Sequence, residues 1–169
     1  MNSLTYIFQL IGWVLLQGIV LNNINLFGYA DPALYLLFFM TYPSVENKTP
    51  LLLLATLSGL AIDIFSQTGG IYTCATLCVV FLRPLLIRLF FGQNFDEQPI
   101  KLLQVSFTLR LLYILSFTFI FHIIFSILET FQWELWIFTL YKTLINILLS
   151  TIVCLLVEQL IGNRKEEKY

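Results

Sequence analysis

Apolar runs of membrane-spanning length recur along this chain and leave it few ways to fold. A transmembrane helix needs about 20 mostly apolar residues. Residues 4–21, 50–66, 70–91, 101–128 and 135–161 approach or exceed that length. A shorter run, 33–43, is fenced by Asp31-Pro32 before it and ends at Pro43. A soluble domain of this size carries roughly a quarter of its residues as charges. Here 11% are charged and 59% hydrophobic, with a mean hydropathy of +0.86. The pattern predicts an all-α polytopic membrane protein, one compact bundle of six transmembrane helices, or five if residues 33–43 dip in and return. A net charge of −1 leaves no basic face for nucleic acid.

Local punctuation sets the expected boundaries. Pro50 stands at the start of the third helix, where its missing N–H costs nothing. "SQTGG" reads as the turn between the third and fourth, and Arg83-Pro84 as a bend near the end of the fourth. Gly162 is expected to close the sixth helix, leaving 162–169 as a solvated cytoplasmic tail. The first helix lacks the Lys/Arg-rich start and small-residue cleavage site of a secretory signal, and is expected to be retained.

Cytoplasmic loops carry the excess of Lys and Arg. With six spans and both termini inside, the inner segments hold Lys48, Arg88, Lys101, Arg164, Lys165 and Lys168, with Arg83 near that face. The outer side holds Asp31, Glu129 and Glu134, with Trp133 and Trp136 as an interfacial aromatic anchor. The chain is thus expected in a cytoplasmic membrane with its carboxyl terminus inside.

Polar residues at membrane depth are expensive and each needs a reason. Asp63 lies about 20 Å along its helix from Pro50, toward the outer end. Ala55, Gly59 and Asp63 recur every four residues and form a small-residue face suited to helix packing. The other reading of Asp63, a proton or substrate site, lacks a second carboxylate or histidine nearby. On the sixth helix Thr139, Lys142, Thr143, Asn146 and Ser150 form a polar seam that should face protein. Lys142 could snorkel or pair toward Glu134, or line a ligand cavity. The fifth helix carries Arg110, with Glu158 as a partner by depth, and His122 between Thr118 and Ser126, read as a hydrogen-bonded packing residue. Cys74, Cys78 and Cys154 read as small buried side chains. No nucleophile elbow, phosphate loop or metal-ligand set is present in the sequence, so neither an enzyme nor a cofactor or metal is expected.

The stretch "ALYLLFFMTYPSVENKTP" followed by "LLLLATLSGLAIDIFSQTGGIYTCATLCVVFLRPLL" resembles the rod shape-determining protein MreD family. There a short helix ends in a proline, and a helix carrying Gly-Leu-x-x-Asp leads through a small-residue turn into the next. Pro43, Gly59, Leu60, Asp63 and Gly70, with Gly69 beside it, occupy those positions. The resemblance covers about the middle third of the chain. It implies a non-enzymatic subunit of the bacterial cell-elongation machinery. Such a subunit would bind a bitopic MreC-type shape protein and, through it, an MreB-type actin homologue and the wall polymerase and transpeptidase. The family is similar in fold to the substrate-binding membrane subunits of energy-coupling-factor transporters, which supplies the alternative of a vitamin-type binder.

Overall fold

The computed structural model describes residues 3–21, 31–43, 49–92, 102, 105–130 and 136–166. Among these residues every regular element is helical: α1 (Ser3–Leu15), running on as a π-helical turn over Leu16–Val20, α2 (Leu36–Thr41), α3 (Thr49–Ser66), α4 (Ile71–Phe91), α5 (Phe107–Glu129) and α6 (Trp136–Glu166). Among the described residues four helices are long and apolar enough to cross a membrane: Thr49–Ser66, Ile71–Phe91, Phe107–Glu129 and Ile137–Ile161. Their large exposed side chains are overwhelmingly Leu, Ile and Phe. In water such faces would drive aggregation, whereas in lipid they cost nothing. The fold is a polytopic all-α membrane bundle.

Helices α3, α4, α5 and α6 pack in sequence order, each along the next, and α1 lies against α3. Hydrogen bonds fix their levels. Gln17 near the end of α1 reaches Pro32, and Asp31 meets Asn146 in the first half of α6. Tyr42, at the other end of the second pass, packs its ring against Tyr6 near the start of α1 and meets Arg83 in the second half of α4. The described residues therefore run along the bundle axis six times in alternating directions.

The second pass departs from expectation. The reading of a helix over 33–43 gives way to a tight turn closed by Leu34 N–H on Pro32 O, then a helix of only six residues. Pro32 cannot donate to a preceding turn, and Tyr42 is held extended (φ −60°, ψ 135°), as the residue before a proline tends to be. Residues 33–40 are all buried, so this segment is the centre of the bundle, with the longer helices around it.

Two further boundaries differ. Helix α5 begins at Phe107, after Ser106, whose backbone is extended, and not near Lys101. Helix α6 runs through Gly162 to Glu166. One glycine costs a helix only about 1 kcal/mol, and Arg, Lys and Glu after it are good helix formers. Pro84 is accommodated inside α4, and Gly92 (φ 82°) ends that helix in a conformation that L side chains rarely adopt. Lys48, Lys101, Trp133, Glu134, Lys168 and most of the 92–99 loop lie outside the described residues.

Candidate functional site

The small-residue face of α3 meets the start of α4. A Cβ on Gly59 would lie 2.5 Å from Thr73 Cα, so only glycine permits this approach. One turn on, Asp63 reaches across the corner. Its Oδ1 accepts from Tyr72 N–H (3.0 Å) and Thr68 Oγ1, and its Oδ2 accepts from Thr73 N–H (2.9 Å) and Thr73 Oγ1 (2.6 Å). Tyr72 and Thr73 lie in the first turn of α4, whose leading N–H groups have no intrahelical acceptor. The carboxylate therefore caps α4 from the preceding helix, with its charge at the positive end of the helix dipole. The turn between them needs positive φ at Gln67, Gly69 and Gly70 (55°, 64° and 105°), which glycine supplies at two of the three. Ala55 is fully buried on the same helix, and Pro43 is half-buried directly after Tyr42.

The buried second pass is held at both ends by other helices. At its start, Gln17 donates to Pro32 O and accepts from Leu34 N–H, both at 2.9 Å. Asn146 Oδ1 takes Asp31 N–H (2.9 Å) and Ser150 Oγ takes Ala33 N–H (3.0 Å). At its far end the Arg83 guanidinium donates to Tyr42 O, and Tyr113 donates weakly to Met40 O (3.4 Å). Between them, Tyr35 hydrogen-bonds Thr76 at 2.6 Å. Non-helical backbone at membrane depth survives only where protein or water satisfies it, and here four helices do so. Gln17 and Arg83 carry much of this and the sequence reading gave neither that role. A glutamine in an otherwise apolar helix was the available signal.

The polar seam of α6 does face protein. Thr143, Asn146 and Ser150 are buried and Thr139 is half-buried. Opposite them on α5 the structure pairs Ser126 with Thr143 (2.5 Å), His122 Nε2 with Ser150 (2.8 Å) and Thr118 with Thr151 (2.9 Å). Ser150 is fully buried and its oxygen already serves Ala33, so the Ser150–His122 pair links elements and has no approach for a substrate. Lys142 is directed to Glu129 (2.9 Å), with Glu134 outside the described residues. Arg110 and Glu158 do meet, at 3.4 Å, and both are buried.

Asp31, Tyr72, Phe121, His122, Phe125 and Asn146 line a recess at one end of the bundle that leaves no room for a water-sized molecule. Small-molecule sites usually hold ~300–1,000 Å³. Aromatic rings fill what remains: Tyr72 and Phe125 lie 4.7 Å apart, and Phe121 stacks on Phe125 at 6.0 Å. Among the described residues no group of three or more His, Cys, Asp or Glu could hold a metal. Cys154 is buried as expected, but Cys74 and Cys78 are exposed. The inward face of α4 is taken by Tyr72, Ala75, Thr76, Val79 and Arg83, which turns those two thiols outward, where lipid accepts them.

The interior thus consists of polar contacts and aromatic packing, with buried Arg83, Arg110 and Glu158 atoms left without a hydrogen-bond partner at one end, while the outer faces are apolar. Comparison of the whole chain with known protein families, with curated proteins and with solved structures found no match in any of the three.

Proposed function

We propose that this protein is a non-enzymatic membrane subunit of the bacterial cell-elongation complex. It would act by binding partner membrane proteins along its lateral faces, and so help control where peptidoglycan is made. The observation that supports this reading is the occupation of the bundle's centre by its own chain, since residues 33–40 are all buried there. What remains for recognition is the outside. The resemblance carried by Pro43, Gly59, Leu60, Asp63 and Gly70 points the same way, because Gly59 and Asp63 build one rigid corner between α3 and α4. The reading places the protein in the cytoplasmic membrane with its carboxyl terminus inside, and names a bitopic MreC-type protein as direct partner. The actin homologue and wall enzymes would be reached through it.

The test is purification from native membranes in mild detergent after in-membrane cross-linking, with identification of what is joined. Recovery of a bitopic shape protein and wall-synthesis enzymes is the expected result. Recovery of an ATPase module with a coupling subunit, or loss of uptake of a small molecule on deletion, would replace this reading with the transporter one. Orientation is checked with a reporter fused after Tyr169, which should be active only in a cytoplasmic setting.

A further inference from the structure

Among the described residues, the buried side-chain atoms that lack a hydrogen-bond partner are Arg83 Nε, Arg110 Nε and both carboxylate oxygens of Glu158. They come from three different helices, yet all belong to one end of the bundle. Arg110 lies about 5 Å into α5 from its start, and Glu158 about 5 Å from the end of the apolar part of α6. Arg83 lies about 12 Å in from the end of α4. Among the described residues, the opposite half of the interior, from Asp63 to the α5–α6 hydroxyl pairs, leaves no such atom.

Each of the three side chains is more than nine-tenths buried. Arg110 has Glu158 at 3.4 Å and the Phe107 ring at 5.4 Å, and neither takes its Nε–H in a hydrogen bond. Arg83 has no acidic partner among the described residues, and its contacts are the Tyr42 carbonyl and the Tyr113 hydroxyl. Burying a charged group without satisfying it costs several kcal/mol, and buried polar atoms in folded proteins are nearly always paired with protein or water. Four such atoms on three helices at one end of the bundle call for partners beyond the described side chains. Two guanidinium donors and one carboxylate acceptor can all be served by water, which both donates and accepts.

We infer that water enters the bundle from the end where α4 finishes and α5 begins, and hydrates the interior as far as Arg83. The recess closes one turn further in, where Phe39, Val79 and Phe117 are fully buried and apolar. Internal water of this kind typically makes about three hydrogen bonds to groups that would otherwise go unpaired. Water there would bridge Arg110 Nε–H to Glu158 and take the remaining proton of Arg83. The protein is in this respect one-sided: wet and charged inside one end, and closed by direct contacts at the other.

Water-edited solid-state NMR on the ¹⁵N-arginine-labelled protein in lipid bilayers tests this without disturbing the fold. The Nε signals of Arg83 and Arg110, assigned by Arg83→Lys and Arg110→Lys, should gain magnetisation from mobile water within a few-fold of the rate of exposed Arg88. Build-up more than tenfold slower than Arg88 at both sites would overturn the inference. A chemical arm uses the native thiol one turn from Glu158. Cys154 should react with a charged methanethiosulfonate at least tenfold more slowly than a cysteine at Glu158 (Glu158→Cys), in a background where Cys74 and Cys78 are serine. Equal rates would place the dry barrier elsewhere and overturn it as well.

Discussion

Thr73 gives Asp63 two hydrogen bonds to the same oxygen, from its backbone N–H at 2.9 Å and from its hydroxyl at 2.6 Å. One carboxylate thereby fixes both the rotation of α4 about its axis and the distance of α4 from α3. The residue four positions earlier, Gly59, has room for nothing larger at the same contact. A charge inside an apolar run is here explained by cap and corner geometry.

Asp63→Ala should cost about 2–4 kcal/mol of stability, since it removes a charged cap and strands two buried N–H groups. Asp63→Asn should recover part of this, because one amide oxygen can still accept. Thermal unfolding in detergent, followed by tryptophan fluorescence, ranks the two.

Gly59→Leu should be more harmful than Gly59→Ala, and both should lower the unfolding midpoint. The added Cβ meets backbone rather than a flexible side chain, so the helices must separate. Overpacking of this kind costs about 1–3 kcal/mol. An unchanged midpoint for Gly59→Ala would show that the two helices are not held at this spacing.

Gln17→Leu roughly keeps the side chain's volume but leaves Pro32 O and Leu34 N–H without these partners at the head of the buried segment. The expected loss is about 2–4 kcal/mol, two unsatisfied backbone groups at roughly 1–3 kcal/mol each in part offset by easier burial of leucine. Limited proteolysis should find the 31–43 segment cut more readily in the variant.

Arg110→Met or Glu158→Leu alone should be strongly destabilising, by about 3–5 kcal/mol, because each leaves a buried charge alone. The double variant should regain most of the loss. Failure of the double variant to exceed either single one in unfolding midpoint would mean the two groups are not coupled. Lys142→Ala, by contrast, removes a pair that is partly exposed on both sides, and should cost less than about 1 kcal/mol.

Asp31 supplies a pH dependence. Burial raises its carboxyl above the ordinary value, with the Lys142 ammonium opposing and Glu129 adding to the rise. A carboxyl raised in the folded state contributes stability below its unfolded value and loses it as pH climbs through the folded one. Asp31→Asn should therefore unfold at a higher temperature than the parent at neutral pH. The two should converge in acid, where the parent is protonated as well.

The boundaries of α3 and α4 were legible because Pro50 and the Gly69-Gly70 pair mark them chemically. So was the Arg110–Glu158 meeting, since counting residues from the helix ends puts both groups at one depth. The second pass was harder to read. Its apolar run looks like a lipid-facing helix until one knows that the atoms holding it are backbone groups of Asp31, Pro32, Ala33 and Leu34, which no side-chain pattern announces. The side chains that satisfy them, Gln17, Asn146 and Ser150, are 15 to 117 residues away. Periodicity along one helix does not reveal such distant partners. The end of α6 was misplaced for a different reason: a glycine permits a stop but does not impose one.

Unequal helix length has a consequence for the surrounding lipid. The apolar part of α3 is 18 residues and that of α6 is 25, about 27 Å and 37 Å at 1.5 Å per residue. A bilayer with a hydrocarbon thickness of ~30 Å matches neither. With these helices separated by α4 and α5 in the packing order, the leaflets must thin beside the first and swell or meet a tilted rod beside the second. The protein therefore sits in a graded annulus of lipid, and membranes of different thickness should favour different tilts of the whole bundle.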